Sequence, residues 1–351
     1  FLWYRAPWPP AEIVRRTCRM PLEKPFRTAF QYQSAMYTAA GSAVARAGGA
    51  PWETLVKERI FRPLGMSGAG CITPSAEEVP DRATPYRADR GGAIRPGPWY
   101  VQTQPNAAGS VHVSARDLAA WLRFQIGDGT FAGRRLVSLT ALAETHKPQI
   151  PLPSDEMVRA SNPETVQLSY GLAWVIQDYR GHELVSHGGV IDGFRAHITL
   201  MPRDGFALAI LSNRHQTRLN QALSNTFVDR LLGLAPRDWN DYYQRLEKGA
   251  ETVKREARHK RDAERQPGPS PHPPADYVGE YEHPAYGRAR VEMVGEKLRW
   301  HWSTFEGELS CHHSDAFELG CQLLDDPLIE FPVDHGKIKG FVFLNLLFQK
   351  K

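Results

Sequence analysis

The sequence has 351 residues, with 43 Lys+Arg against 39 Asp+Glu and a formal net charge of +4 at pH 7. That length suits about two domains, and 42% hydrophobic with 23% charged residues excludes wholesale disorder. The charge excess is too small for a nucleic-acid footprint, and no apolar run approaches the ~20 residues that span a bilayer. The chain opens Phe1-Leu2-Trp3-Tyr4, without an initiator methionine or a signal peptide, and so reads as an internal piece of a longer protein.

In chain order, residues 35–64 predict helix, loop, helix. Small residues dominate 39–50, and Trp52, Leu55, Val56, Ile60 and Phe61 then fall at helical spacing until Pro63 stops the run. Residues 73–105, rich in Pro, Gly and single charges, predict a long surface loop. Ser114 offers an N-cap, Asp117 completes a capping box, and Leu118, Trp121, Leu122 and Ile126 form the apolar stripe behind it. From Tyr170 the period shortens. The runs 172–176, 183–186, 196–201 and 206–212, punctuated by Gly181, Gly188-Gly189 and the turn at 202–205, predict an antiparallel meander. A helix over 219–232 follows, with Leu223, Phe227, Val228, Leu231 and Leu232 as its apolar side.

Residues 242–265 mix charges of both signs, and 266–275 are dominated by proline, so an exposed helix runs into a stiff linker. The basic cluster at 254–261 is interleaved with Glu251, Glu256, Asp262 and Glu264, which reads as a solvated helix face. Residues 277–351 show short alternating runs, a small all-β barrel or sandwich. The expected organisation is a mixed α+β domain over 1–240, a charged helix and linker over 241–275, and an all-β domain over 276–351. Cys18, Cys71, Cys311 and Cys321 lack zinc-type spacing and are too few for a disulfide framework, so they read as free thiols. His312-His313 reads as a surface pair, and no metal or cofactor is expected.

Two clusters can carry chemistry. In the run 30–37, Tyr32 and Ser34 stand at a loop-to-helix junction and can project two hydroxyls into a cleft; taken alone, Tyr32 is more often an ordinary buried tyrosine with a satisfied hydroxyl. In the run 186–194, His187 precedes Gly188, Gly189 and Val190. Two glycines after a histidine admit a ligand close to the strand backbone and leave N–H groups for an oxyanion, although a plain hairpin turn has the same signature.

Taken together and in order, these segments resemble the serine β-lactamase/penicillin-binding-protein-like hydrolases. The run 30–37 with Gly41 is similar to that family's Tyr-x-Asn box and the helix after it. Ile60-Phe61-Arg62-Pro63-Leu64-Gly65-Met66 is similar to its Pro-Leu-Gly-Met segment. Ala108-Gly109-Ser110, leading to Ser114, Asp117-Leu118 and Trp121, resembles its Ala-Gly-Gly…Ser-x-x-Asp-Leu-x-x-Trp helix. Tyr170-Gly171-Leu172-Ala173-Trp174 and His187-Gly188-Gly189 resemble its Tyr-Gly-Leu-Gly-Trp and His-x-Gly elements, and Leu211-Ser212-Asn213 closes the set. Residues 277–351, from Tyr277-Val278-Gly279-Glu280-Tyr281 onward, resemble the small lipocalin-like β-domain DUF3471 appended to some of these peptidases.

The resemblance implies an antiparallel sheet flanked by helices, followed by a lipocalin-like barrel. It implies hydrolysis through an acyl-enzyme on an ester, peptide or β-lactam bond, with a small-molecule or peptide substrate and no cofactor. Tyr32 is then the general acid/base, and His187 lines the opposite wall, supporting a phenolate or a substrate carboxylate. Ser34 positions the substrate carbonyl, the Val190 N–H supplies an oxyanion donor, and Gly188 and Gly189 leave room for substrate along the strand.

The sequence departs from the family in two places. No serine in it has a lysine three residues later, so the Ser-x-x-Lys nucleophile is expected upstream of Phe1 and the chain as given is expected to be inactive. The rival reading is a non-catalytic module that keeps the cleft. Ser34 stands where the family has asparagine, and a hydroxyl cannot reproduce the amide's combined donor and acceptor. With the first strands of the sheet upstream, residues 206–212 are expected to form an exposed apolar edge. Substrate identity, compartment and oligomeric state stay open.

Overall fold

The computed structural model describes every residue except Phe1, 75–77, Pro80, Arg90 and Pro267. The predicted chain start and parts of the predicted loop and linker therefore lie outside the described residues. The chain divides into two compact units, Leu22–Glu251 and Phe1–Pro21 together with Thr252–Lys351. Residues 1–21 thus belong by contact to the unit that holds the C-terminal domain.

The unit Leu22–Glu251 is built on a six-stranded antiparallel sheet. Its helices include α1 (Ser34–Gly48) and α2 (Ala115–Gln125). A two-stranded hairpin, β1 (Tyr86–Ala88) with β2 (Ile94–Pro96), stands in the predicted loop. The sheet follows as β3 (Ile150–Pro151), β4 (Leu168–Tyr170), β5 (Val175–Tyr179), β6 (His182–Ile191), β7 (Phe194–Met201) and β8 (Phe206–Ser212), each hydrogen-bonded to the next. Then come α3 (Leu219–Leu231) and α4 (Trp239–Ala263). The predicted capping box is present: Asp117 N–H donates to Ser114 Oγ at 3.1 Å, and Ser114 N–H to Asp117 Oδ2 at 3.2 Å.

Alternation along the strands gives the sheet two buried faces. Ile176, Val185, Ile198 and Leu200 pack with Leu122 and Ile126 at α2. Tyr179, Leu184 and Met201 pack on the other face with Val228 of α3 and with Trp239 and Tyr243 of α4. Helix α3 buries only part of its predicted apolar side, keeping Val228 inward. Phe227 and Leu231 are 48% and 60% exposed, while Asn220, Ser224, Asn225 and Asp229 are buried.

Hydrogen bonds explain the polar part of that buried face, because each buried polar side chain meets a fixed partner. Asn220 Nδ2 donates to Ile210 C=O at 2.8 Å, and Ser224 Oγ lies 2.7 Å from Thr199 Oγ1. Asp229 accepts from Tyr179 Oη at 2.8 Å and Trp239 Nε1 at 2.7 Å, and pairs with Arg180 at 3.0 Å.

Among the described residues strand β8 pairs with β7 alone, apart from a parallel bridge between Tyr86 and Arg214 just past its end. No residue of β8 is fully buried, and Leu211 is 43% exposed, so the strand does present an apolar edge. A charge on that edge should discourage strand-to-strand association. Leu211→Lys is expected to raise the concentration at which the chain stays monodisperse in light scattering.

The β6–β7 turn, Asp192-Gly193, has φ of +35° and +96°. A Cβ at Gly193 would sit 2.4 Å from Pro85 Cβ. Buried Asp192 also meets Arg87 at 3.5 Å, which ties hairpin β1–β2 to the tip of β6. Both conformation and space require glycine here. Gly193→Ala should cost about 1–3 kcal/mol in chemical denaturation.

The other unit is a closed eight-stranded antiparallel barrel running from Gly279 to Lys350. Inward positions alternate, as in Ala289 and Val291, and the interior is filled with rings: Trp300, Trp302, Tyr277, Tyr281, Phe341 and Phe348. Phe341 stacks on Phe348 at 4.8 Å between centroids. Residues 2–21 belong to this unit, with Leu2 and Ile13 buried and Arg16 Nη1 donating to Ala285 C=O at 3.1 Å. His312 is fully buried at a bulge in the strand Phe305–His313, so the expected surface pair holds for neither position fully. The four cysteines are free thiols. Among the described residues no helix is long and apolar enough to cross a membrane.

Candidate active site

The site grows from a mismatch in strand length. Pairing of β5 with β6 ends at Val175–Ser186, whereas β6 continues to Ile191 against β7 only. His187 is the first residue past that end, and Gly188, Gly189 and Val190 follow it, all three exposed. A Cβ at Gly188 would find its nearest neighbour at 3.7 Å, and one at Gly189 at 3.9 Å, and neither has positive φ. Protein packing therefore demands no glycine at either position. What the glycines leave is open space in front of a strand.

Tyr32 comes from the other side. Gln33 is extended and α1 begins at Ser34, so Tyr32 lies on the approach to the helix and Tyr37 in its first turns. Their ring centres are 5.9 Å apart. The structure brings Tyr32 and His187 together, at 6.1 Å between centroids. It also adds two residues that the sequence had not singled out as site residues, Tyr37 and Tyr170. Tyr37 Oη lies 2.6 Å from Tyr170 Oη, Tyr170 Oη lies 3.0 Å from His187 Nε2, and His187 Nδ1 lies 2.7 Å from Gly188 C=O. The only hint of Tyr170 in the sequence is its place in the Tyr-Gly-Leu-Ala-Trp run.

Ser34 is half-buried at the start of α1, and its carbonyl accepts from Thr38 Oγ1 at 3.4 Å. Thr38 Oγ1 also donates to the buried Asn106 Oδ1 at 2.9 Å. The Val190 side chain is 49% exposed, and its residue pairs with Arg195 across β6–β7. A cavity of about 490 Å³ adjoins the cluster, walled by Trp121, Trp174 and Ile198 with His187, Gly188 and Gly189. Among the described residues no group of three or more His, Cys, Asp or Glu could hold a metal ion.

Burial sets the electrostatics. Although Tyr32 is 51% exposed, partial desolvation raises its phenol above the ordinary range, with the neighbouring Tyr37 adding to the effect. Burial raises Tyr170 as well, with the neighbouring Tyr37 and Tyr32 adding to the effect. It lowers His187, against the opposing pull of the Gly188 carbonyl. His197, opposite Gly188 on β7, falls to about 4 through burial and the nearby His187 and Arg195. Its Nε2 is buried without a partner among the described residues.

The Beta-lactamase family profile matches residues 1–230, and the profile of the domain of unknown function DUF3471 matches residues 263–350. The chain belongs to the beta-lactamase family. It is 29% identical over 298 residues to the unguisins hydrolase ungD' of Aspergillus campestris (strain IBT 28561), covering 80% of this chain and 52% of that protein. It is 25% identical over 335 residues to the unguisins hydrolase ungD of Aspergillus violaceofuscus (strain CBS 115571), covering 88% and 57%. The chain thus spans about half the length of these curated relatives.

Two solved structures show the shared fold. The octameric penicillin-binding protein homologue from Pyrococcus abyssi superposes with a TM-score of 0.53 at 18% identity, over 95% of this chain and 65% of that one. The D-amino acid amidase from Ochrobactrum anthropi SV3, complexed with L-phenylalanine amide, gives 0.51 at 24%, over 64% and 63%.

The depressed histidine pKa has a measurable consequence. With His197 near 4 when folded and about 6.5 when unfolded, the unfolded chain takes up the proton first as pH falls. Stability is therefore lost progressively between about pH 6.5 and 4, by at most about 3 kcal/mol from this residue. His197→Gln should flatten that acid limb by close to one proton in urea melts run across the window.

Proposed function

We propose that this chain supplies the proton-handling wall and the substrate-facing strand of an acyl-transfer hydrolase. The reaction in this reading passes through an acyl-enzyme on an ester, peptide or β-lactam bond. Its main support is the juxtaposition of Tyr32 and His187, 6.1 Å apart, beside the bare stretch Gly188–Gly189 of a strand that β5 no longer pairs. The names of the two Aspergillus relatives, hydrolases of unguisins, favour hydrolysis as the reaction.

Tyr32 passes protons between nucleophile and leaving group. A phenol with a raised pKa is protonated at neutral pH, so it needs a cation beside it before it can act as a base. The lysine of a Ser-x-x-Lys pair supplies such a cation, and that pair lies outside residues 1–351 in this reading. The Val190 N–H serves as an oxyanion donor and Ser34 as a partner for the substrate carbonyl, while Gly188 and Gly189 let the substrate approach the strand. Serine at 34 in place of asparagine narrows that last contact to a single hydroxyl.

A second reading, a non-catalytic module that keeps the cleft, is favoured by one observation: no serine of the 351 residues has lysine at the required spacing. Covalent labelling separates the two. Residues 1–351 should give no adduct with a fluorophosphonate or a penicillin in intact-mass spectrometry; an adduct on any serine overturns the assignment. A reading frame extended upstream to include Ser-x-x-Lys should label at that serine. In the extended chain Tyr32→Phe should slow labelling by about 10²–10⁴-fold. If the extended frame holds no such pair, the binding-module reading stands.

A further inference from the structure

The hydrogen bonds joining Tyr37, Tyr170, His187 and Gly188 have one end whose direction chemistry dictates. A carbonyl oxygen only accepts, so the His187 Nδ1 that lies 2.7 Å from Gly188 C=O must carry a proton. Burial favours the uncharged imidazole, which leaves Nε2 as a bare lone pair. Tyr170 Oη, 3.0 Å from that lone pair, must then donate to it. The Tyr170 oxygen in turn accepts from Tyr37 Oη at 2.6 Å. One backbone carbonyl thus orders every proton in a chain of three side chains.

We propose that Tyr170, oriented by Tyr37, is a positioning residue that locks His187 as the neutral Nδ1–H tautomer with both ring nitrogens engaged. The imidazole then offers a substrate neither a free base nor a free N–H. It is a fixed wall, which leaves proton transfer to Tyr32, and it holds the Gly188 carbonyl so that this part of the strand keeps its place. This is the opposite of the tautomer that a free histidine prefers in water, so it needs partners on both nitrogens. The raised pKa of Tyr170 keeps its hydroxyl protonated and therefore a donor. The titratable groups around the ring are Tyr32, Tyr170 and His197, and among the described residues no carboxylate hydrogen-bonds to it. The functional meaning rests on the active-site reading above, whereas the tautomer itself does not.

The test uses the full chain with ¹⁵N-labelled histidine at pH 8 and long-range ¹H–¹⁵N imidazole spectra, with His187 assigned by its loss in His187→Gln. The expected pattern is a protonated Nδ1 and an unprotonated, hydrogen-bonded Nε2. Tyr170→Phe should move the tautomer ratio toward Nε2–H by about fivefold, the worth of one hydrogen bond. Tyr37→Phe should move it in the same direction by a smaller factor, of about two. An Nε2–H tautomer in the unaltered chain overturns the proposal, as does an unchanged ratio in a folded Tyr170→Phe. Should Tyr170→Phe fail to fold, an unchanged ratio in Tyr37→Phe overturns it. Serine labelling of residues 1–351 would sink the functional reading and leave the tautomer standing, so the two can fail separately.

Discussion

The end of β5 pairing at Val175, with β6 running on to Ile191, is the constraint on which the candidate site depends. A strand paired on both sides has no backbone to spare. By releasing one side of β6 beyond Ser186, the sheet exposes a stretch that a substrate can reach, and the first side chain on that stretch is His187. The far end cannot fray freely, because Asp192 and Gly193 make a tight turn that Pro85 and Arg87 hold from outside. The strand is thus anchored at both ends and open in the middle, which is what rigid placement of a reacting group asks for.

Much of the fold was legible in the sequence because it is local. The capping box at Ser114 and Asp117 and the short alternating runs after Tyr170 each declare themselves within a few residues. Helix α3 was misread for a physical reason. Counting apolar residues puts Phe227 and Leu231 inward with Val228, yet the inward face joins Val228 to Asn220, Ser224, Asn225 and Asp229, which each meet a hydrogen-bonding partner. Periodicity measures hydrophobicity and cannot see where the partners stand. Similarly, nothing local marks residues 2–21 as part of the barrel unit.

The site was legible where a motif carried it and opaque where only tertiary contact did. Tyr32 and His187 each sit in a recognisable run, and the fold brings their rings together. Tyr37 and Tyr170 are separated by 133 residues, and no spacing rule joins their hydroxyls. The lowered pKa of His197 is hidden in the same way, since it follows from burial on a strand whose sequence could equally face solvent.

The barrel unit draws on both ends of the chain, and Arg16 donates to a carbonyl 269 residues further on. On the ribosome this has a direct cost in time. The early segment with its apolar Leu2 and Ile13 is made long before the strands it covers, while the sheet of the other unit closes from neighbours in sequence. Closure across so long a loop is entropically expensive and slow. The order of synthesis therefore leaves the apolar stretch at 2–21 waiting until the barrel strands it packs against have been made.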